Sequence, residues 1–187
     1  MVIIGITGTL GAGKGTVVEY MVSRYGFIHF SVRAFLLEEI RKHNYPENRD
    51  SMVKLANELR ALYGPSTIIE RLYAQAANKN QNCIIESIRT IGEIKALRKK
   101  QHFYLLAVDA DQSTRYERIR IRNSETDRIS YQTFQDNEDR EMHGDDPAKQ
   151  NLSACISLAD HVMYNNGSIE DLHKKVDHFI NNLDSAL

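Results

Sequence analysis

Residues 8–16 have the sequence Gly8-Thr9-Leu10-Gly11-Ala12-Gly13-Lys14-Gly15-Thr16, and an apolar run from Val2 to Thr7 comes directly before them. An unbroken apolar run is typical of a strand that is buried on both faces of a parallel sheet. The closely spaced glycines favour a tight turn whose backbone N–H groups no side chain covers. The residues after the turn predict a helix as far as about Tyr25, where Gly26 ends it. This order of strand, turn and helix predicts an α/β fold.

The same turn predicts a phosphate-binding loop. In the pattern Gly-x-x-x-x-Gly-Lys, backbone N–H groups and the positive end of the following helix surround phosphate oxygens. Lys14 can reach the β- and γ-phosphates, and the Thr16 hydroxyl can ligate Mg²⁺, although Gly15 stands where the strict motif has Ser or Thr. A glycine-rich turn without a ligand is the alternative, but the strand before it and the helix after it favour binding. We therefore predict a site for ATP and Mg²⁺ whose nucleotide-binding residues are Gly8, Leu10, Gly11, Ala12, Gly13, Lys14, Gly15 and Thr16.

Length and composition predict one compact domain spanning residues 1–187. The 24 basic and 25 acidic residues give no overall field that would attract nucleic acid or anionic lipid. No apolar run approaches the roughly 20 residues that cross a bilayer, and the start of the chain lacks the basic flank of a signal peptide. Cys83 and Cys155 lack a paired spacing, so we expect buried free thiols in a reducing compartment. We expect a cytoplasmic monomer or homodimer whose partners are small-molecule nucleotides, with no nucleic acid and no membrane.

Short β-like runs alternate with helical patterns along the rest of the chain. Besides Val2–Thr7, the predicted strands are Phe27–Phe30, Cys83–Glu86, Phe103–Asp109 and His161–Tyr164. Capping boxes at helix starts are predicted by two pairs at the required spacing: Thr90 with Glu93, and Ser168 with Asp171. The alternation predicts a five-stranded parallel sheet flanked by helices, and together with the phosphate-binding loop this arrangement resembles the P-loop NTPase fold.

The ending Gly13-Lys14-Gly15-Thr16 is the form of the loop that adenylate kinases carry. The chain resembles the nucleoside monophosphate kinase group of P-loop proteins over nearly its whole length, and it is most similar to adenylate-kinase-related and dephospho-coenzyme-A-kinase-like proteins. The resemblance implies an enzyme that transfers the γ-phosphoryl group of ATP to a small phosphorylated acceptor, such as a nucleoside or deoxynucleoside monophosphate. It also implies that residues 31–78 form an acceptor-binding helical region.

Within that region, Ser31 matches the serine of a Ser-Thr-Gly-Asp-x-x-Arg segment in adenylate kinases. The Gly-Asp pair and the arginine at its usual offset are absent, and Arg33 could supply a guanidinium from another backbone position. Arg60 could clamp an acceptor phosphate by bidentate hydrogen bonds. Each acceptor-binding residue has an alternative: Ser31 could be a helix N-cap, and Arg60 could lie on a solvated helix face. Arg49 is a weaker candidate of the same kind.

The predicted strand Cys83–Glu86 leads into Ser87-Ile88-Arg89-Thr90, where adenylate kinases have Asp-Gly-Phe-Pro-Arg-Thr. The resemblance implies that Glu86 holds Mg²⁺ through water and that Arg89 binds the transferring or acceptor phosphate. A carboxylate at the carboxyl end of a parallel strand is well placed for ligand contacts. The alternative is an N-cap or surface role for Glu86.

A basic helix is predicted around Arg118 and Arg122, whose spacing of four residues places them on one helix face. By resemblance, Arg118 stacks on the adenine and Arg122 reaches the phosphates as a catalytic residue with Lys14 and Arg89. The segment 159–168 resembles a loop of dephospho-coenzyme A kinases under the donor base, which implies backbone contacts around Gly167. A solvated arginine face and an ordinary turn are the alternatives.

The segment 123–150 is rich in charge and poor in large aliphatic residues. We read it as a mobile, solvent-exposed, lid-like flap with one or two short helices, which would exclude water during transfer. Arg128 and Arg140 could swing onto the γ-phosphate, and Arg140 could equally pair with its acidic neighbours.

Two other functions remain open from the sequence. Dephospho-coenzyme A kinase would need an aspartate base after the second strand, and residues 29–37 contain no acid. A regulatory nucleotide-binding ATPase would not need Arg60 and Arg89 on the acceptor side.

Overall fold

The computed structural model describes residues 1–123, 129–144 and 149–184, apart from the side chains of Arg49, Asp50, Val53 and Asp184. Strands and helices alternate along these residues in the following order: β1 (Ile3–Gly8), α1 (Lys14–Tyr25), β2 (Ile28–Ser31), α2 (Val32–Lys42), α3 (Arg49–Tyr63), α4 (Thr67–Ala77), β3 (Cys83–Glu86), α5 (Ile91–Leu97), β4 (Phe103–Asp109), α6 (Gln112–Arg122), α7 (Tyr131–Met142), α8 (Leu152–Ser157), β5 (His161–Tyr164) and α9 (Ile169–Asp184). The predicted strands lie within one residue of these bounds.

The strands of the described residues form a parallel sheet in the order β2-β3-β1-β4-β5. The predicted α/β fold, with five parallel strands between helices, is confirmed. Strand β1 is central and all six of its residues are buried. Its register pairs Ile6 with Glu86 of β3 and Gly8 with Val108 of β4, while Ser31 of β2 pairs with Glu86. The carboxyl ends of these strands therefore meet beside the loop that follows β1.

Two cores cover the two faces of the sheet. Successive strand residues point to opposite faces, so Ile3 belongs to one core and Ile4 to the other. Helices α2 to α5 and α8 pack on the first face, and α1 and α9 pack on the second. Cys83 and Cys155 are buried free thiols, as predicted, and burial raises the pKa of Cys155 to about 12.

Helix boundaries follow the local signals in the sequence. Gly26 ends α1 with a left-handed backbone at φ 69°. Thr90 and Glu93 form the predicted capping box at the start of α5. Ser168 and Asp171 exchange the corresponding hydrogen bonds before α9. These predictions succeed because a cap depends only on residues a few positions apart.

The region 31–78 consists of α2, α3 and α4. The apolar stripe of α3 is buried at Leu55, Ala56 and Leu59, but Leu62, which continues the same periodicity, is 74% exposed. The buried stripe therefore stops before the end of the helix, where Tyr63 is exposed as well.

Among the described residues, no helix is both long and apolar enough to cross a membrane.

Candidate active site

The loop after β1 packs closely against β4 and against the loop after β5. Gly8, at φ 131°, lies so close to the Val108 carbonyl that a Cβ would overlap it. Gly13, at φ 99°, lies against the side-chain amide of Asn165, which donates to the Ala12 carbonyl at 2.9 Å. Positive φ and close contact both favour glycine at these positions. The spacing of the glycines in the sequence thus reflects contacts of the loop with β4 and with the loop after β5.

Gly13 and Gly15 should respond oppositely to alanine. Gly13→Ala combines a left-handed φ with overlap of Asn165, so we expect the free energy of unfolding to fall by about 2 kcal/mol. Gly15→Ala meets no atom within 4 Å and lies inside α1, so it should change stability by less than about 1 kcal/mol, towards greater stability. Urea unfolding of both variants measures the difference. Equal losses would contradict the proposed close packing at Gly13.

Lys14 lies at the base of the loop with its ammonium group turned onto the backbone. Its Nζ donates to the carbonyls of Gly8 at 2.9 Å and Thr9 at 2.7 Å. Burial, and after it the nearby Arg89 charge, lower the pKa of Lys14 to about 8, while Glu141 and Glu86 oppose the shift. The positive charges of Lys14 and Arg89 repel each other, and an anion between them would stabilise both. The residues present therefore fit a phosphate group.

A cleft of about 720 Å³ opens beside the loop. It brings together most of the residues predicted to bind nucleotide or metal: Leu10, Gly11, Gly13, Lys14, Gly15, Thr16, Glu86, Arg89, Arg118, Arg122 and Gly167. The other lining residues are Glu19, Ile119, Ile121, Asn165, Ile169 and Leu172. Gly8 and Ala12 are buried behind this surface. Both polar and apolar side chains line the cleft, and this mixture suits a nucleotide, whose phosphates and base need different surroundings.

Glu86 provides the carboxylate at the end of β3. Its Oε1 accepts a hydrogen bond from the Ser31 hydroxyl at 3.0 Å and lies 3.5 Å from Nε2 of His29. Interaction with His29 and with Ser31 lowers the pKa of Glu86, so this carboxylate is ionised near neutral pH. Mg²⁺ commonly takes one or two protein oxygens and completes its shell with phosphate and water. Thr16 and Glu86 fit that donor set.

Of the residues predicted to bind the acceptor, only Arg89 lines the cleft. Ser31 accepts from the Ala34 N–H at 3.3 Å, so the N-cap alternative is confirmed for it. Arg33 is exposed on α2. Arg60 lies with Nη2 3.8 Å from Oε1 of the buried Glu93. The roles of Ser31, Arg33 and Arg60 towards an acceptor remain predictions.

Arg118 and Gly167 lie together in the lining of the cleft. Nη1 of Arg118 donates to the Asn165 carbonyl at 2.8 Å, and Nη2 lies 3.4 Å from the Gly167 carbonyl. The guanidinium therefore ties α6 to the loop after β5. Arg122, one turn further along α6, also lines the cleft. Their assigned roles at base and phosphates stay predictions.

The flap predicted at 123–150 contains α7. Its Phe134 is 1% exposed and packs near Arg115 and Tyr116, so α7 is anchored to α6. Arg140 is exposed and does not line the cleft among the described residues. Arg128 lies outside the described residues. Closure of this segment over the cleft remains a prediction.

Sequence reasoning missed Arg115, which is 4% exposed and bridges the loop to α7. Its Nε donates to the Ala110 carbonyl at 2.7 Å, and Nη1 lies 3.3 Å from the Leu10 carbonyl. Nη1 and Nη2 bind the two carboxylate oxygens of Glu138 at 2.9 and 2.6 Å. Within an arginine-rich helix, no local signal separated this buried arginine from its exposed neighbours.

Asp109 and Asn165 were also missed. Asp109 Oδ1 accepts from the Thr9 hydroxyl at 2.6 Å, which fixes the loop to the end of β4. A carboxylate at the end of a predicted strand was a usable signal for Asp109. Asn165 gave no comparable signal, because its contact with Ala12 joins residues 153 positions apart.

Comparison with solved structures shows that P-loop kinases share this fold. Shikimate kinase from Bacteroides thetaiotaomicron aligns with a TM-score of 0.61 and 11% identity, over 96% of this chain and 98% of that one. Dephospho-CoA kinase from Campylobacter jejuni aligns with a TM-score of 0.53 and 15% identity, over 96% of each chain. The kinase-like fold implied by the resemblance is thus confirmed, while identities this low say nothing of the substrate.

Comparison of sequences identifies the family. A family model described as an AAA domain, AAA_18, matches residues 4–143. A UPF0200 protein from Methanococcus vannielii is 30% identical over 190 residues, which cover 100% of this chain and 95% of the relative. The chain therefore belongs to the AAA_18 family of AAA domains and to the UPF0200 proteins.

Proposed function

We propose that this chain is an ATP-dependent phosphotransferase that acts on a small phosphorylated acceptor, most simply a nucleoside or deoxynucleoside monophosphate. The observation that carries the proposal is the meeting of Lys14, Arg89 and Glu86 around one cleft beside the glycine loop. Two cations and an ionised carboxylate at this position suit a magnesium–triphosphate complex. The kinase-like fold supports the reaction type, and the nature of the acceptor rests on Arg89 and on the resemblance.

The residues of the chain would act by positioning and charge. The loop N–H groups and Lys14 would hold the β- and γ-phosphates, and Arg89 and Arg122 would stabilise charge on the transferring group. Thr16 and, through water, Glu86 would hold Mg²⁺, which when bound neutralises phosphate charge. An acceptor phosphate that is already ionised needs no general base. This agrees with the exposed position of Glu38, the first acid after β2, which pairs with Lys42 at 3.0 Å.

A ligand screen with a transfer assay tests the proposal. ATP with Mg²⁺ at about 100 times its dissociation constant should raise the free energy of unfolding by about 2.7 kcal/mol, visible as a thermal shift. Nucleoside and deoxynucleoside monophosphates and dephospho-coenzyme A are then tested as ligands and as acceptors of labelled γ-phosphate. Transfer to a monophosphate is the expected result.

The other outcomes are equally informative. No stabilisation by ATP would exclude the nucleotide site, and phosphate release without transfer would favour a regulatory ATPase. Transfer to dephospho-coenzyme A alone would replace the proposed acceptor.

A further inference from the structure

Helix α7 presents two carboxylates to the loop from one of its faces. Glu138 and Glu141 are three residues apart, a spacing that places them side by side on a helix. Glu138 forms the bidentate pair with buried Arg115. Glu141 Oε2 accepts from Nη1 of Arg89 at 3.0 Å. Each carboxylate thus binds an arginine beside the loop, one behind it and one in the cleft.

The two ion pairs of α7 differ in how deeply they are buried. The Arg115–Glu138 pair is almost wholly buried, and with Phe134 it joins α7 to α6. The Arg89–Glu141 pair is partly exposed, with 38% and 31% of the side chains accessible. Glu141 is also close enough to Lys14 for its charge to act on the pKa of that residue. Its carboxylate is therefore near both cations that the proposed function assigns to phosphate.

We propose that Glu141 competes with the phosphates of the nucleotide for Arg89, so that ATP binding displaces this carboxylate and releases the end of α7 from the cleft. The inference rests on the proposed function, because it needs ATP at the loop. A carboxylate only accepts hydrogen bonds, so it forms none with phosphate oxygens, and a triphosphate placed beside it adds like charge. Displacement gives Arg89 a more highly charged partner and removes this repulsion.

A different role for Glu141 would reverse the effect of its replacement on ATP affinity. If Glu141 instead oriented Arg89 for phosphate binding, its loss would weaken ATP binding. Arg89 has a second partner in Gln150, whose Oε1 lies 3.2 Å from Nη1. The guanidinium therefore keeps a neutral contact when Glu141 is gone, and competition predicts tighter binding.

The test is calorimetric titration of the full chain with ATP and Mg²⁺, without acceptor. Glu141→Gln keeps the shape of the side chain and removes its charge. We expect its dissociation constant for ATP to be about fivefold lower than that of the unmodified protein, equivalent to about 1 kcal/mol. Asp139→Asn is the matched control, since it removes the same charge from an exposed position of the same helix. It should change the constant by less than about twofold, because exposed distant charges are screened.

Each result decides between the explanations. Unchanged or weaker ATP binding by Glu141→Gln would overturn the inference while leaving the nucleotide site in place. An equal gain in Asp139→Asn would also overturn it, since net charge alone would then explain the effect. Failure of the unmodified protein to bind ATP would instead refute the proposed function. Glu141→Ala, with thermal unfolding of every variant, guards against a variant that does not fold.

Discussion

Replacing Lys14 with methionine should lower the rate of phosphoryl transfer by about a thousandfold and leave the chain folded. The variant keeps the aliphatic stem and loses the ammonium group that would neutralise the transferring phosphate. Steady-state turnover with ATP and the acceptor found in the screen measures the effect, and circular dichroism checks the fold. Turnover within a factor of about ten of the unmodified protein would contradict the assigned role of Lys14.

The effect of Lys14→Met on the free energy of unfolding should depend on pH. The pKa of Lys14 is about 8 in the folded chain and 10.5 in its ordinary state, so the unfolded chain binds more protons between these values. The contribution of Lys14 to the free energy of unfolding therefore rises as pH increases from about 8 to 10.5. At neutral pH the charged group opposes folding, so Lys14→Met should be at least as stable as the unmodified protein. Urea unfolding at pH 7 and pH 10 should show the gap narrowing as pH rises.

Replacing Arg115 with methionine should lower the free energy of unfolding by about 3 kcal/mol, the largest stability effect that we expect. The change leaves Glu138 as a buried carboxylate without its partner and removes the donors facing the Leu10 and Ala110 carbonyls. Urea unfolding at neutral pH gives the value.

Arg120 offers a matched control on the same helix. Its pair with Glu117 at 2.8 Å is exposed on both sides, so Arg120→Met should cost less than about 0.5 kcal/mol. Adding Glu138→Leu to Arg115→Met should recover most of the loss, because the unpaired buried charge is then gone. If the two arginine substitutions lowered the free energy of unfolding equally, the buried bridge between the loop and α7 would stabilise the chain no more than an exposed ion pair does.

The arginines show how far sequence reasoning reaches at this site. Arg89 comes three residues after the last residue of a predicted strand, so the topology of a parallel sheet predicts its place near the sheet edge where ligands bind. Arg115, Arg118 and Arg122 share one predicted helix; sequence spacing predicts that the last two share a helix face, and both line the cleft. The burial of Arg115 depends on Glu138 and Phe134, and those residues belong to a segment predicted to be a solvent-exposed flap.

Local patterns in the sequence were enough to predict the loop from Gly8 to Thr16, the strands within one residue and the cap at Thr90, because each depends on neighbours along the chain. Three contacts were visible only in the folded chain: Asn165 packs on Gly13, Arg60 turns to Glu93, and Glu141 binds Arg89. These contacts join residues that are far apart in sequence. Their free energy depends on distances and burial that exist only once the sheet and helices have packed, so no local pattern can encode them.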